Sequence, residues 1–497
     1  MRGETGGGGR RPKGELPEPA GETPRPARDT GPEVAMYKAA ADEFAQMLIE
    51  KTASAKDFLN IFELEAMIKE LSAKTHRINM DLVARLVESF DESKIIRKKK
   101  DDYKRLGVSL KTQKRSERAI STLGGPLRLR RYILRPADDK SAERLLDCSG
   151  KRTVIPMDEL LGLGEWPYRV TPSVMALVAY RATIPDEERG PGFMESLCGV
   201  HEATGKSIAA YVGRLVFETD LARERGAAAA HYGFETVGPG KALYVALETV
   251  PVKANLAGQR GAKSGVVSLG SVLAGPPQAG GRVRPPSPAE SGQCFGPATI
   301  LETIACVDPR ALVALLGVSA ARHGRGPEQK IVVLSDGGSL ARTLAAELGP
   351  KVKIVLSFDV LAAKAGALAL RIFGGESDRA RRWTADRLTE LLAGRLEACL
   401  RAARLAAGEG EGEFESLIGA NADLMDYKGY AKEKIMISAN NANYAIKNLI
   451  NSRFNKSYSA WKSDTAQSIL TLMGKRLSNL WFSDVIKPIM TMFGREI

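Results

Sequence analysis

The sequence predicts an α/β fold, in which helices cover a mixed sheet that has a mainly helical region before it and helical segments after it. Residues 330–359 have the pattern strand, helix, strand, and residues 241–253 alternate in the way of a half-buried strand. Residues 36–90 and 415–495 carry apolar side chains at helical spacing. At 497 residues, the chain is long enough for two or three domains.

The strand–helix–strand unit places carboxylates at two predicted strand ends. Its apolar runs, 331–334 and 352–356, flank a short amphipathic helix, and the strands end at Asp336 and Asp359. Open α/β sheets bind ligands and metals along the carboxyl edge of their parallel strands. These two residues are therefore the first candidates for chemistry.

The charge balance favours a polyanionic partner. Lysine and arginine number 72 against 59 aspartates and glutamates, for a net charge of +13. Such a chain typically binds nucleic acid, although a basic enzyme without that partner stays open. No apolar run is long enough to span a bilayer, and the five cysteines form no CxxC pair. We therefore expect no membrane partner, no zinc and a reduced cytoplasmic compartment.

Shifts in composition divide the chain into segments. The stretch 298–316 reads as a helix within the core. The predicted segments are a disordered tail (1–35), a helical N-terminal region with a basic run (36–120), a helix-turn-helix-like region (121–235), an α/β core (240–405) with a flexible insertion (274–297), a linker (406–414) and a helical C-terminal part (415–497).

Basic and polar side chains in several segments are candidates for DNA contacts. The run 94–118 is strongly basic, and GGPLRLRRYILR (124–135) reads as a strand after a turn. The helical stretches 193–205 and 207–220, with a turn at Gly205, resemble a helix-turn-helix. A solvated charged face is the alternative for each. The candidates are Lys98, Lys99, Lys100, Arg128, Arg130, Arg131, Lys206, Ser207, Tyr211, Lys447, Arg453 and Lys456.

The order of the motifs resembles that of Kra/Lre-type bacterial insertion-sequence transposases. Within about residues 120 to 485 it runs LGGPLRLRRYILR, PMDELLGLGEWPYRVTPSV, TGKSIAAYVGRL, LYVALETVPVK, VVLSDGGSLARTLAAEL, KIVLSFDVLAAKAGALALRIFGG and MISANNANYAIKNLINSRF. The resemblance implies an RNase H-like core of the DDE class. Three acidic side chains in that class hold two Mg²⁺ ions for in-line attack on a DNA phosphate.

The resemblance places the three acidic positions on Glu248, Ser357 and Asn443, so only the first keeps a carboxylate. Asp359, two residues after Ser357 and expected on the same strand face, is a substitute ligand, and Asp336 supports the site. The catalytic candidates are thus Glu248, Asp359 and Asp336. Glu248 and Asp359 are the candidate metal ligands, with Mg²⁺ as cofactor if the protein is active.

Three functions follow from this pattern. The favoured one is a transposase-derived DNA-binding protein with impaired catalysis, because two of the three acidic positions have lost their charge. An active DDE transposase that uses Mg²⁺ is the first alternative. An α/β protein-interaction module without nucleic acid is the second; the SDGGS turn lacks the spacing of a nucleotide site. The expected partners are double-stranded DNA and further copies of the chain, in the nucleoid.

Overall fold

The computed structural model describes residues 92–491 apart from short gaps, together with scattered residues between 38 and 83. The chain divides into two compact units, 1–86 and 87–497, and the elements given below belong to the second. The gaps are 164–166, 185–192, 226–236, 238–241, 254–255, 257–263, 276–298, 324–328, 408–411, 439–443 and 456–460.

Several predictions fall outside the described residues. They concern the tail 1–35, most of the helical run 36–90, nearly all of the insertion 274–297, and the side chains of Asn443 and Lys456. These remain predictions.

The elements fall into three consecutive groups. The first contains α1 (Glu92–Arg105), β1 (Leu110–Thr122), β2 (Gly125–Pro136), α2 (Asp139–Ser149), α3 (Pro156–Leu160), α4 (Pro172–Ala182), α5 (Phe193–Cys198) and α6 (Glu202–Arg225). The second contains β3 (Leu243–Val252), β4 (Gly265–Ala274), β5 (Thr299–Cys306), α7 (Pro309–Arg322), β6 (Ile331–Ser335), α8 (Leu340–Leu348) and β7 (Val352–Leu356). The third contains α9 (Phe358–Ile372), α10 (Asp378–Leu392), α11 (Leu396–Ala407), α12 (Glu413–Ala420), α13 (Tyr427–Lys432), α14 (Tyr444–Phe454), α15 (Ser463–Leu477), a π-helical turn (Trp481–Ile486) and α16 (Lys487–Thr491).

The described strands form a two-stranded ribbon and a five-stranded sheet with the order β5-β4-β3-β6-β7. Strand β4 runs antiparallel to both of its neighbours, whereas β3, β6 and β7 are parallel. The predicted α/β class and the predicted strands β3, β4, β6 and β7 are confirmed. Their apolar runs and alternating side chains predict strands correctly, because the sheet is buried on both of its faces.

The alternating side chains of β3 enter two different cores. Leu243, Val245 and Leu247 pack with α7 and α8 on one face of the sheet. Tyr244 and Ala246 pack with α9 to α13 on the other. A third core joins α4, α6, α14 and α15 to the far ends of β3 and β4. Helices therefore cover both faces of the sheet. The carboxyl edge of the parallel strands lies between the helices of one face and those of the other.

Strand β5 corrects the first part of the predicted helix 298–316, whereas the second part is confirmed by α7, which begins at Pro309. Ile300, Leu301, Ile304 and Ala305 are spaced as on a helix, which explains the wrong prediction. In the structure they lie in a strand paired antiparallel with β4. Glu302 of this strand is buried, whereas a charged residue in a sequence pattern is normally expected to be exposed.

Strand β1 corrects the prediction that 36–120 is helical throughout. Residues 110–122 pair antiparallel with β2, whose prediction as a strand after a Gly-Gly-Pro turn is confirmed. Most of the β1 side chains are exposed, so the sequence shows no apolar alternation there. Pairing with β2, which is not a local signal, makes this segment a strand.

Helix α6 corrects the predicted turn at Gly205, because the helix runs through that residue without a break. The chain turns instead at Gly199, whose φ of +68° favours glycine. Lys206 and Ser207 consequently lie in the second turn of a 24-residue helix. One face of that helix is buried in the third core, whereas its first turns and, farther along, Arg214 and Glu218 are exposed.

The C-terminal half contains more breaks than the sequence predicts. The predicted helical region 362–407 consists of α9, α10 and α11, which are separated at glycines with positive φ, Gly374, Gly375 and Gly394. The predicted linker 406–414 lies partly outside the described residues, and its last residues belong to α12, which begins at Glu413.

Candidate functional site

Glu248 lies within β3, which continues to Val252, and Asp336 is the first residue after the neighbouring parallel strand β6. The register pairs Ala246 of β3 with Leu334 of β6, and two further residues along each strand lead to these carboxylates. The hydroxyl Oγ1 of Thr249 donates a hydrogen bond of 2.8 Å to Asp336 Oδ2. Asp336 is thus bound to the residue after Glu248, and the side chains of Glu248 and Thr249 point to opposite faces of β3.

The SDGG turn holds Asp336 at the carboxyl end of β6. The backbone N–H of Gly338 donates to Asp336 Oδ1 at 3.0 Å, in a local turn typical of aspartate. Gly337 has a φ of +92°, which only glycine adopts without strain. Both carboxylate oxygens of Asp336 thus accept hydrogen bonds from the protein.

Lys447 contacts the carboxylate of Glu248. Lys447 lies on α14, which packs against β3, and its ammonium forms a salt bridge with Glu248 Oε1. The lysine side chain is 41% exposed and the glutamate side chain 28%. Lys447, which the sequence predicts as a DNA contact, is thus paired with a carboxylate of this chain, and its contact with DNA stays a prediction.

Asp359 does not lie on a strand, contrary to the prediction. Strand β7 ends at Leu356, Ser357 is the N-cap of α9, and Asp359 belongs to the first helical turn. The prediction assumed that the strand continues through Asp359, which would place Asp359 and Ser357 on the same face. Because the helix begins at Phe358, that alternation does not apply. The hydroxyl of Ser438 donates to its carboxylate at 2.7 Å. A carboxylate at this place is also stabilised by the helix dipole.

The candidate acids do not fit a Mg²⁺ site. Mg²⁺ prefers near-octahedral oxygen ligands and carboxylates that are free to coordinate it. Glu248 is paired with an ammonium, Asp336 accepts from a hydroxyl and an amide, and Asp359 accepts from Ser438. Within the described part of the chain, no group of three or more His, Cys, Asp or Glu side chains is arranged to hold a metal ion. Asn443 lies outside that part.

Two of the predicted DNA contacts are buried. Arg131 Nη1 lies 2.5 Å from Asp158 Oδ2, and its side chain is only 11% exposed. Arg453 is 7% exposed, with its guanidinium 5.4 Å from the ring centre of Trp461. Both residues carry charges that a sequence pattern assigns to the surface. Their burial corrects the prediction that they reach a phosphate.

The other predicted DNA contacts lie nearer to solvent. Lys98, Arg128 and Arg130 are exposed, whereas Lys99 forms a 2.8 Å salt bridge with Glu159 and Lys100 is partly buried.

On α6, Lys206 pairs with Glu202 at 2.9 Å. The carbonyl of Ser207 accepts from the hydroxyl of Tyr168 at 2.9 Å, and the ring of Tyr211 packs edge-on against that of Tyr168. The first turns of α6 are exposed, and their contacts are made near the protein surface.

A buried charge cluster is the main feature that sequence reasoning missed. Lys475 Nζ lies 2.8 Å from Asp220, 3.2 Å from Glu302 and 2.8 Å from Asp484, and Arg322 joins at 3.3 Å from Glu302. Burial by itself lowers the pKa of the lysine, but the three carboxylates raise it above its ordinary value. A lysine inside the apolar stretch SILTLMGKRL was the signal in the sequence.

The comparisons with known proteins do not assign a family. The chain matches no family model, and no curated protein is significantly similar to it. In the described part of the chain, no helix is both long enough and apolar enough to cross a membrane. The function is therefore argued from the site.

Proposed function

We propose that this chain is a DNA-binding protein built on the scaffold of an RNase H-like insertion-sequence transposase, with impaired catalysis. A mixed sheet in which β4 alone runs antiparallel between its neighbours, with helices on both faces, supports that scaffold. The proposal includes double-stranded DNA and further copies of the chain as partners, in the nucleoid.

The observation that carries the proposal is the arrangement of Glu248, Asp336 and Lys447. One carboxylate lies within β3 and the other directly follows β6, and parallel strands of this kind support the metal site of DDE enzymes. The ammonium of Lys447 neutralises the first carboxylate, so the position of the site persists without a free set of metal ligands. We assign the second acidic position to Asp336 in preference to Asp359, because Asp336 follows the strand that pairs with β3 whereas Asp359 lies in helix α9.

The charge distribution supports DNA as the partner. The net charge of +13 favours binding to the phosphate backbone. Exposed lysines and arginines lie on α1 and on the β1–β2 ribbon, away from the carboxylate site in sequence. DNA affinity can consequently persist where catalysis has been lost.

The test combines DNA binding with DNA cleavage. We expect affinity for a mixed-sequence duplex to fall steeply with salt, and no cleavage in Mg²⁺ or Mn²⁺. A flat plot of log K against log salt would contradict DNA binding and favour a protein-interaction module. Cleavage that Glu248→Gln abolishes, while the exposed control Glu347→Gln retains it, would instead establish the active transposase.

A further inference from the structure

The β1–β2 ribbon has two chemically different faces. Cross-strand partners in an antiparallel pair share a face. The pairs Ile120–Leu127, Arg118–Leu129 and Ser116–Arg131 form one face, and the pairs Ala119–Arg128, Glu117–Arg130 and Arg115–Tyr132 form the other. We name the first the inner face and the second the outer face.

The inner face is fixed to the rest of the protein. Arg118 and Arg131 approach Asp158 of α3 at 2.8 and 2.5 Å, and Ile120 and Leu129 are buried. Asp158 is buried and pairs with both arginines. Replacing Asp158 would leave two largely buried positive charges without compensation, which is costly. The ribbon is therefore held as a rigid element with its outer face toward solvent.

The outer face is cationic. Arg128 is 73% exposed and makes only a long 3.4 Å contact with Glu117, and Arg130 is exposed as well. The guanidinium of Arg115 lies 4.7 Å from the ring centre of Tyr132. On the outer face of the ribbon, whose residues 110–136 are all described, the exposed charged side chains are Arg115, Arg128, Arg130 and a single acid, Glu117.

The dimensions of the ribbon match a groove of DNA. Its strands of 13 and 12 residues extend for about 40 Å at the usual rise per residue. The major groove of B-DNA, about 12 Å wide, admits a two-stranded antiparallel ribbon, and its walls are lined by phosphates.

We infer that the outer face of the β1–β2 ribbon binds in the major groove of double-stranded DNA, with Arg128 and Arg130 contacting the phosphate backbone. The inference rests on the proposed function and assigns its binding surface. Charge complementarity supports this partner, since the outer face carries three exposed arginines, Arg115, Arg128 and Arg130, and one acid, Glu117.

The test compares two double variants of the full chain with equal loss of charge. Arg128→Ala/Arg130→Ala removes cations from the outer face. Arg342→Ala/Arg381→Ala removes exposed arginines of α8 and α10, whose acidic neighbours lie at 3.2 and 2.9 Å. Binding to a mixed-sequence DNA duplex is measured by fluorescence anisotropy over a series of salt concentrations. Thermal unfolding verifies that each variant is folded.

We expect the slope of log K against log salt to decrease by about 1.8 in the ribbon variant, since each lost phosphate contact removes about 0.9. The control variant should keep the wild-type slope. An unchanged slope in the ribbon variant, with DNA binding retained, would overturn the ribbon assignment alone. Absence of any salt-dependent binding by the wild type would overturn the proposed function itself.

The groove is tested with an RNA duplex of the same sequence. The major groove of A-form RNA is too deep and narrow for protein side chains to read. We therefore expect weaker binding to RNA than to DNA. Equal affinity for the two duplexes would overturn the assignment to the major groove.

Discussion

The ammonium of Lys475 lies 2.8 Å from the carboxylate of Asp220, and this buried pair joins helices α15 and α6. Glu302 from β5 and Asp484 from the π-helical turn approach the same ammonium at 3.2 and 2.8 Å. Burying charge is costly unless partners compensate it, so the cluster is stabilising only as a complete set. Four separate parts of the fold thereby depend on one lysine.

Replacing Lys475 by methionine should be among the most destabilising substitutions in the chain. It leaves three carboxylates without their main cation, and breaking a buried pair costs about 3–5 kcal/mol. Urea unfolding followed by circular dichroism measures the loss. Lys364→Met is the control, because its pair with Glu413 is exposed to solvent and should contribute little to stability. Equal losses in the two variants would show that the cluster is not a stabilising unit.

Stability should fall in acid because of Glu302. Burial alone would raise the pKa of this carboxyl, but the charge of Lys475, the charge of Arg322 and the 2.6 Å hydrogen bond from Ser319 together hold it well below its ordinary value of 4.5. A depressed folded-state pKa contributes stability above the unfolded value and loses it as the pH falls below. Burial raises the pKa of Asp220, which acts in the opposite direction and partly offsets the slope.

The free energy of unfolding, measured between pH 7 and pH 3, checks this expectation. The wild type should lose stability as the pH drops below about 4.5, where an unfolded glutamate takes up its proton. Glu302→Gln should be less stable at neutral pH and should show a flatter acid limb. A profile as steep as that of the wild type would assign the acid loss to other carboxylates.

Glu248 and Lys447 should be energetically coupled. Because the pair is partly exposed, a double-mutant cycle with Glu248→Gln and Lys447→Met should give a coupling of about 0.5–1 kcal/mol. The wild type should also show no Mn²⁺ binding, by electron paramagnetic resonance, that depends on Glu248. Zero coupling, or Mn²⁺ binding that is lost in Glu248→Gln, would contradict the assignment of Lys447 as the counter-ion of this site.

Gly213 should not tolerate a side chain. A methyl group at this position of α6 would overlap the backbone oxygen of Ser468 on α15, so the two helices would have to separate. Overpacking of this kind costs about 1–3 kcal/mol. Gly366→Ala in α9 is the matched control, since its new methyl meets nothing within 4 Å and should stabilise the helix by about 0.5–1 kcal/mol. Thermal and urea unfolding should move in opposite directions for the two variants.

The local sequence pattern correctly predicts the strands that pack against apolar side chains on both faces of the sheet. Strands β3, β6 and β7 are confirmed because their apolar side chains enter cores on both faces of the sheet. Strands β1 and β5 were hidden for opposite reasons. The first is exposed and basic along most of its length, and the second buries Glu302 at a position that mimics a helical polar face.

The sequence by itself determined the α/β class, the basic character and the position of Asp336 directly after a strand, because composition and apolar periodicity are local properties. Only the tertiary structure decided which charges are available to a partner. The acids paired with Lys447, Arg131 and Lys475 lie 199, 27 and 173 residues away along the chain. An ion pair depends on distance in space, which a linear pattern does not contain.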